Sequence, residues 1–338
     1  MKQYQAAIIG TGRIGFLLGK DRKREQPAAH TAALNANKRI KLIAGCDIDG
    51  TRLTLWQKEN PQAKIFGHID SLLSETSADI ITVAVNEDAH LSTTLKVLKS
   101  RPRLVILEKP VALNTEEAYK IKEISTQLQV PVMINHERRF SKDYQLVKKL
   151  IKDNKLGNLQ LVRGSLWSGM RVYSASQETS GSYSLIHDGT HLVDIVQYLL
   201  ERQLENPIVS NIIRDKENSV RQAEVNYLVD NNIAVSLTFS GRCKYFGFDL
   251  ELRFTEGRIL IGNGLFQVET KKESPYYSGF FSLLKNRKYK AAHKSGYFSN
   301  MVQNAVDFLD NSSPLISTLD DGINTLKTLE DIKKYFIQ

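Results

Sequence analysis

The feature that most constrains this chain is its start, where the apolar run Ala6-Ala7-Ile8-Ile9 passes straight into Gly10-Thr11-Gly12-Arg13-Ile14-Gly15. An apolar strand ending in G-x-G-x-x-G must turn sharply into a helix. Backbone N–H groups at that helix start, at Arg13 and Ile14, can then cradle a pyrophosphate. Gly10 permits the tight turn, Gly12 lets a phosphate approach the backbone, and Gly15 lets the helix pack close to the strand. Alone, the pattern fits a ligand-free strand–helix turn equally well. A second apolar run, Ile40–Cys46, ends at Asp47, where a carboxylate is needed to hold the adenosine ribose hydroxyls. The Gly15-to-Asp47 interval exceeds the usual spacing of about twenty residues. The excess is assigned to Gly19–His30, a polar stretch carrying Lys20, Arg22, Lys23, Arg24 and Pro27, read as an insertion after the first helical turns.

Strands and helices alternate beyond this point. Helical patterns at Thr51–Asn60, Asp70–Glu75, Ala89–Ser100 and Thr115–Leu128 separate the apolar runs Ile65–Phe66, Asp79–Val85, Leu104–Leu107 and Val130–Ile134. The continuous apolar runs suit strands covered on both faces, so a doubly wound parallel sheet is predicted over residues 1–135. After Asn135 the pattern changes. A helix over Phe140–Asn154 leads to a long strand at Leu159–Leu166 and a helix within Ser184–Glu201. Alternating strands follow at Ile208–Arg214, Ser219–Val229, Asn232–Ser240, Phe246–Thr255, Arg258–Gly262 and Gln267–Lys272, then helices at Ser299–Leu309 and Leu319–Ile337. This predicts an α+β domain over 136–338, an open, largely antiparallel sheet with helices on one face. Its last helices are free to pack back on the first domain. Apolar residues on both faces of Val220–Val229 and Ala234–Phe239 suggest a homodimer or homotetramer built on that sheet.

Composition narrows the function classes. The longest apolar runs are strand-sized, so no membrane span and no membrane partner are expected. A strand begins almost at once, which leaves no room for a signal peptide. Cys46 and Cys243 are too few and too far apart for a zinc site, and read as reduced residues of a cytoplasmic protein. The net charge of +9 accompanies no nucleic-acid module, and an anionic small substrate accounts for it equally well. The run Lys285, Arg287, Lys288, Lys290, His293 and Lys294 reads as solvated surface or as a contact for a phosphate or acidic sugar.

Two clusters carry chemistry. Glu108-Lys109-Pro110 follows a parallel strand, at the edge where open α/β sheets bind ligands. A lysine between substrate and nicotinamide hydrogen-bonds the reacting hydroxyl and relays its proton. His187 and His191 lie four apart in a helical pattern and so share a face. Asp188 sits between them and Asp194 beyond. Two histidines at that spacing suggest a metal, but no third ligand is evident. Asn86 follows the fourth strand, where the chain passes beneath the cofactor. Tyr173 opens a Ser- and Gly-rich stretch, 174–184, read as a mobile loop at the substrate.

Together the opening glycines, His30-x-x-Ala33, Asp79–Val85 with His90 beyond, Glu108-Lys109-Pro110, Asn135-His136-Glu137-Arg138-Arg139-Phe140, Leu156-Gly157 and Asp188-Gly189-Thr190-His191-Leu192-Val193-Asp194 resemble the glucose–fructose oxidoreductase / inositol dehydrogenase / rhizopine-catabolism (Gfo/Idh/MocA) family over nearly the whole chain. The resemblance implies an NAD(P)-dependent oxidoreductase acting on a sugar, cyclitol or nucleotide sugar. It implies a cis Lys109–Pro110 bond, cofactor contacts from Glu108 and Lys109, Arg138 near the nicotinamide, and a catalytic or substrate-binding role for His191. The family's usual acid or amide four residues before that histidine is His187 here. That leaves His187 either an acid/base or only a substrate contact, with Asp188 as a possible substrate contact or orienter. Asp47 and Asp49 favour NAD over NADP by repelling a 2′-phosphate, and Arg52 opposes them. Two other readings stay open: a hydrolase that uses bound NAD for transient oxidation, and a non-catalytic dinucleotide-binding protein.

Overall fold

The computed structural model describes residues 2–337, and its contacts divide the chain into two compact units. The first holds residues 1–141 and 296–323; the second holds 142–295 and 324–338.

The first unit is built on a six-stranded parallel sheet ordered β3-β2-β1-β4-β5-β6. The strands are β1 (Tyr4–Ile9), β2 (Ile40–Cys46), β3 (Lys64–Phe66), β4 (Ile80–Val83), β5 (Leu104–Leu107) and β6 (Val132–Ile134). Between them run α1 (His30–Ala36), α2 (Gly50–Glu59), α3 (Ile69–Glu75), α4 (His90–Lys99) and α5 (Thr115–Leu128). Asn114 caps α5 by accepting from the Glu117 N–H, which satisfies one of the donors a helix start leaves open. Later helices α9 (Tyr297–Leu309) and α10 (Leu319–Ile337) follow near the chain's end. Phe298, Met301, Val302, Ala305, Val306 and Leu309 of α9 lie in one core cluster with Ile8, Leu34, Trp56, Ile80 and Ile106. The apolar face of α9 therefore completes this unit's core.

The glycine turn does not lead into a continuous helix. Phe16 and Leu17 N–H donate to the Gly12 carbonyl and Leu18 to Arg13, starting a helical coil. The chain then loops out. The His30 and Thr31 N–H groups return to the Ile14 and Gly15 carbonyls, the places residues 18 and 19 would hold in an unbroken helix. The loop therefore inserts twelve residues into one helix. Without it, Gly15 and Asp47 stand about twenty apart, the motif's usual interval. Glu25 in the loop accepts from the Gly296 N–H at 2.6 Å, at the start of α9.

The second unit carries an eight-stranded sheet ordered β14-β13-β12-β11-β7-β10-β9-β8. Its strands are β7 (Leu159–Trp167), β8 (Ile208–Arg214), β9 (Val220–Val229), β10 (Ile233–Ser240), β11 (Gly247–Phe254), β12 (Gly257–Gly262), β13 (Leu265–Glu273) and β14 (Phe281–Lys285). All neighbours are antiparallel except β7 and β10. Asp230 and Asn231 take positive φ in the three-residue β9–β10 connection, where the Asn232 N–H closes the turn on the Val229 carbonyl. Helices α6 (Lys142–Lys152), α7 (Ser184–His187) and α8 (Gly189–Leu200) accompany the sheet, together with the part of α10 from residue 324 on.

Register separates the faces of this sheet. Leu250, Gly164, Leu237 and Val225 form one cross-strand row, and Leu252, Val162, Val235 and Tyr227 another; their apolar side chains are buried, and the Leu192 side chain of α8 packs over Gly164. The opposite face presents Glu251, Arg163, Ser236 and Asn226, then Asp249, Ser165, Thr238 and Glu224. The same face also carries the row Leu161, Ala234 and Leu228, with Leu228 63% exposed and exposed Ile208 opposite Asn226, so the open side is mixed and apolar residues lie on both faces, as expected. The apolar residues seen in β9 and β10 point mostly toward the helices. Strand β14 lies where the sequence shows only a basic, aromatic surface run. Among the described residues, no helix is long and apolar enough to cross a membrane.

Candidate functional site

In the first unit, the predicted residues gather along the carboxyl edge of the parallel sheet. Gly10 has φ +95°, and a Cβ there would lie 2.3 Å from the Ala84 carbonyl oxygen. A Cβ on Gly15 would fall 2.0 Å from the Gly10 carbonyl oxygen. Both positions require glycine for close backbone approach. Gly12 is different: a Cβ there would meet only an Arg52 guanidinium nitrogen, at 3.5 Å. The space over Gly12 is thus open to a phosphate and bordered by a cation. The N–H groups of Gly12 to Gly15 precede the first intrahelical bond, as at any helix start. These residues fit a dinucleotide pyrophosphate.

Asp47 is buried at the end of β2. Its Oδ2 accepts from the Thr11 N–H at 2.7 Å and the Thr11 hydroxyl at 3.1 Å, and its Oδ1 accepts from the Asp49 N–H at 2.9 Å. The acid therefore braces the glycine turn, and a carboxylate with about four lone pairs keeps capacity for a ribose hydroxyl. Asp49 caps α2 and lies 3.2 Å from the Arg52 Nε. Asn86 lies three residues beyond the end of β4 and opens a short 3₁₀ turn, Glu87–Ala89.

Lys109 is half-buried just beyond β5, and its bond to Pro110 is cis. Glu108 turns inward. Its Oε1 takes the His30 Nε2 at 2.6 Å and the Asn135 Nδ2 at 2.5 Å. Burial works against ionisation of Glu108, but the hydrogen bonds and charges of His30, Asn135 and Lys109 hold its carboxyl below the usual range. Both bonds fall on one carboxylate oxygen; a buried carboxylate needs donors, and the protein supplies them. His90 is fully buried, with Nδ1 2.7 Å from the Pro110 carbonyl and Nε2 3.2 Å from that of Val85. A neutral ring has one proton to donate, and the shorter distance assigns it to Nδ1. Burial lowers the His90 pKa. Arg138 is buried in the turn Glu137–Phe140 after β6.

Glu137 was not singled out by the sequence reading. Burial raises its carboxyl above the ordinary range, against the opposing charges of Arg138 and Lys109. Its signal in the sequence is its place in the Asn135–Phe140 motif, next to Arg138.

In the second unit, the helical pattern around the two histidines is broken. His187 ends α7 and His191 lies in α8, with Asp188 between the two helices. A Cβ on Gly189 would lie 3.2 Å from the Phe239 ring, so helix and sheet approach closely there. The His187 Nε2 stands 3.9 Å from an Asp188 carboxylate oxygen, too far for a hydrogen bond. Asp194 is buried, and its Oδ1 lies 3.4 Å from the Thr325 hydroxyl. Tyr173, expected at the substrate, is buried. Its hydroxyl donates to Glu178 at 3.1 Å, its ring packs edge-on against Tyr183, and Glu178 pairs with Lys333. The loop expected to be mobile is thus fastened at both Tyr173 and Glu178. A large aromatic ring has more apolar area to bury than a Ser- and Gly-rich context suggests.

Comparison with known proteins places this geometry. Residues 4–136 match the oxidoreductase family with an NAD-binding Rossmann fold, and residues 148–246 match that family's C-terminal alpha/beta domain. The chain is similar to a glucose-6-phosphate 3-dehydrogenase of Bacillus subtilis, 27% identical over 200 residues covering 56% of this chain and 54% of that protein. It is also similar to an inositol 2-dehydrogenase of Corynebacterium glutamicum, 22% identical over 253 residues covering 70% and 69%. The match to several of these curated relatives spans little more than half their length. Among solved structures, a dehydrogenase from Chromobacterium violaceum superposes with a TM-score of 0.82 at 12% identity, over 99% of this chain and 95% of that one. GenD2 from gentamicin A biosynthesis, in complex with NAD, superposes at 0.76 with 18% identity, over 100% and 95%. Those structural likenesses concern the fold. With both domains matched in order, the chain belongs to the Gfo/Idh/MocA oxidoreductase family.

Proposed function

We propose that this protein is an NAD-dependent dehydrogenase that works on a secondary hydroxyl, or the matching carbonyl, of a sugar, cyclitol or nucleotide sugar. The observation that carries the reading is the placement of Lys109: it leaves the carboxyl edge of the same sheet that holds the glycine turn, between two anchored neighbours. Gly12 and the helix start would hold the pyrophosphate, and Asp47 a ribose hydroxyl. Bound there, NAD supplies a hydride acceptor or donor. The negative charges of Asp47 and Asp49 favour NAD over NADP, because a 2′-phosphate would meet them. Lys109 Nζ would hydrogen-bond the substrate oxygen, take the hydroxyl proton when hydride leaves in oxidation and return it in reduction. Arg138 is proposed near the nicotinamide, and His191 as a substrate or proton-transfer residue, with His187 and Asp188 as further substrate contacts. These roles rest on the family resemblance. The names of the similar sugar-phosphate and inositol dehydrogenases support the substrate class.

The test is a panel of sugars, cyclitols, sugar phosphates and nucleotide sugars with NAD and NADP, followed by NADH absorbance. Lys109→Met should lower turnover by about 10²–10⁴-fold and leave NADH binding near normal. Full turnover in a folded Lys109→Met protein overturns the lysine's role, and tighter binding of NADP than of NAD overturns the cofactor choice.

A further inference from the structure

We propose that His30, Asn135 and His90 are positioning residues for Lys109, clamping the residues on either side of it although none of them lies at an exposed surface. The proposal rests on the reading of Lys109 above.

The sheet itself stops short of Lys109. The last ladder bond on β5 runs from the Glu108 N–H to the Val83 carbonyl at 3.0 Å. Beyond it, nothing in strand pairing sets the direction of the lysine. Two side-chain anchors take over. On the N-terminal side, His30 and Asn135 both bind the same Glu108 oxygen, at 2.6 and 2.5 Å. On the C-terminal side, His90 binds the Pro110 carbonyl at 2.7 Å. His30, Asn135 and His90 are each 0% exposed, and Glu108 is 5% exposed. A buried carboxylate with its donors stabilises a fold no better than apolar side chains of equal volume. Its contribution is geometric, because the bonds exist only in one arrangement. The anchors come from three separate elements: the first residue of α1, the first residue of α4 and the turn after β6. His30 is also the point at which the helix resumes after its twelve-residue loop, so that rejoining sets one side of the clamp.

The test uses the full chain and needs no substrate. Acetylation of Lys109 by acetic anhydride is followed by peptide mass spectrometry against exposed Lys290 as internal reference, alongside NADH binding by fluorescence and folding by circular dichroism. His30→Leu and Asn135→Leu, which each remove one donor and keep the Glu108 charge beside Lys109, should change the Lys109 rate by roughly threefold or more, as loss of a held orientation implies. His30→Gln, which keeps an N–H donor near the Nε2 position, should return the wild-type rate. NADH binding should survive in both His30 variants. A wild-type Lys109 rate in folded Asn135→Leu overturns the proposal, as does His30→Gln altering the rate like Asn135→Leu, or loss of NADH binding together with the rate change. If His30→Leu fails to fold, the contrast between Asn135→Leu and His30→Gln still decides. Full turnover in Lys109→Met would remove the lysine's role in the reaction without touching the labelling result, so the two failures are distinguishable.

Discussion

At the scale of single residues, buried polar groups separate those that hold the site from those that only fill space. The Tyr227 hydroxyl is buried within β9 with no hydrogen-bond partner among the described residues, and burial raises its pKa strongly. An unpaired buried hydroxyl costs stability. Tyr227→Phe should therefore raise stability by about 1 kcal/mol, read as a higher denaturant midpoint at unchanged slope. His90 makes the opposite case, since it is buried and well bonded. Its folded-state pKa lies below the ordinary 6.5, so the unfolded chain binds the proton first on acidification. Stability is then present above about pH 6.5 and lost as pH falls below it. Glu108, also held low, adds a second loss below its ordinary 4.5. Denaturant midpoints measured from neutral pH to about pH 5.5 should fall in the wild type and fall less in His90→Asn, which keeps a donor for Pro110 but takes no proton.

At the scale of elements, the sequence showed most of what periodicity can show. Most of the strand and helix order and the insertion Gly19–His30 were legible, because each has a local signature in apolar spacing or motif interval. What was not legible depends on partners far along the chain. The inward turn of Glu108 needs His30 and Asn135, which are 78 and 27 positions away. The break between α7 and α8 interrupts a pattern that reads as one helix, and the burial of Tyr173 depends on Tyr183 and Glu178. The inserted loop offers a direct test of the element reading. Deleting Leu18–Ala29 and joining Leu17 to His30 should leave the helix in register. NADH binding should persist, and the His30–Glu108 contact should survive. Loss of NADH binding in a soluble, folded deletion protein would show that the loop is more than an interruption.

At the scale of the whole molecule, charge and exposed apolar surface are concentrated together. The hairpin of β13 and β14 exposes Tyr276, Tyr277, Phe280 and Phe281. The same stretch of chain carries Lys271, Lys272, Lys285, Arg287, Lys288, Lys290 and Lys294, with Glu273 beyond Glu269, which pairs with Arg258, and with Lys271 3.6 Å from Glu256. The hairpin is thus a second exposed apolar surface besides the mixed open face of the sheet, and self-association of this chain is tested on it. Two copies meeting there would bring like charges together, and salt screens that repulsion. Light scattering should thus show association strengthening with added salt, and Tyr277→Ser with Phe281→Ser should abolish it. A mass unaffected by these changes would move the contact elsewhere.

The division of the chain carries a consequence for its birth on the ribosome. The first unit begins at the N-terminus, yet α9, which supplies six side chains to its core, is written after residue 296. Its sheet can emerge and pair early, but that core stays open until the stretch ending near residue 323 has been made. At typical synthesis rates the wait from residue 141 is roughly ten to thirty seconds. Throughout it, the apolar surface meant for α9 is uncovered. A newborn chain of this protein should therefore depend on holding chaperones longer than its N-terminal placement of a stable parallel sheet would suggest.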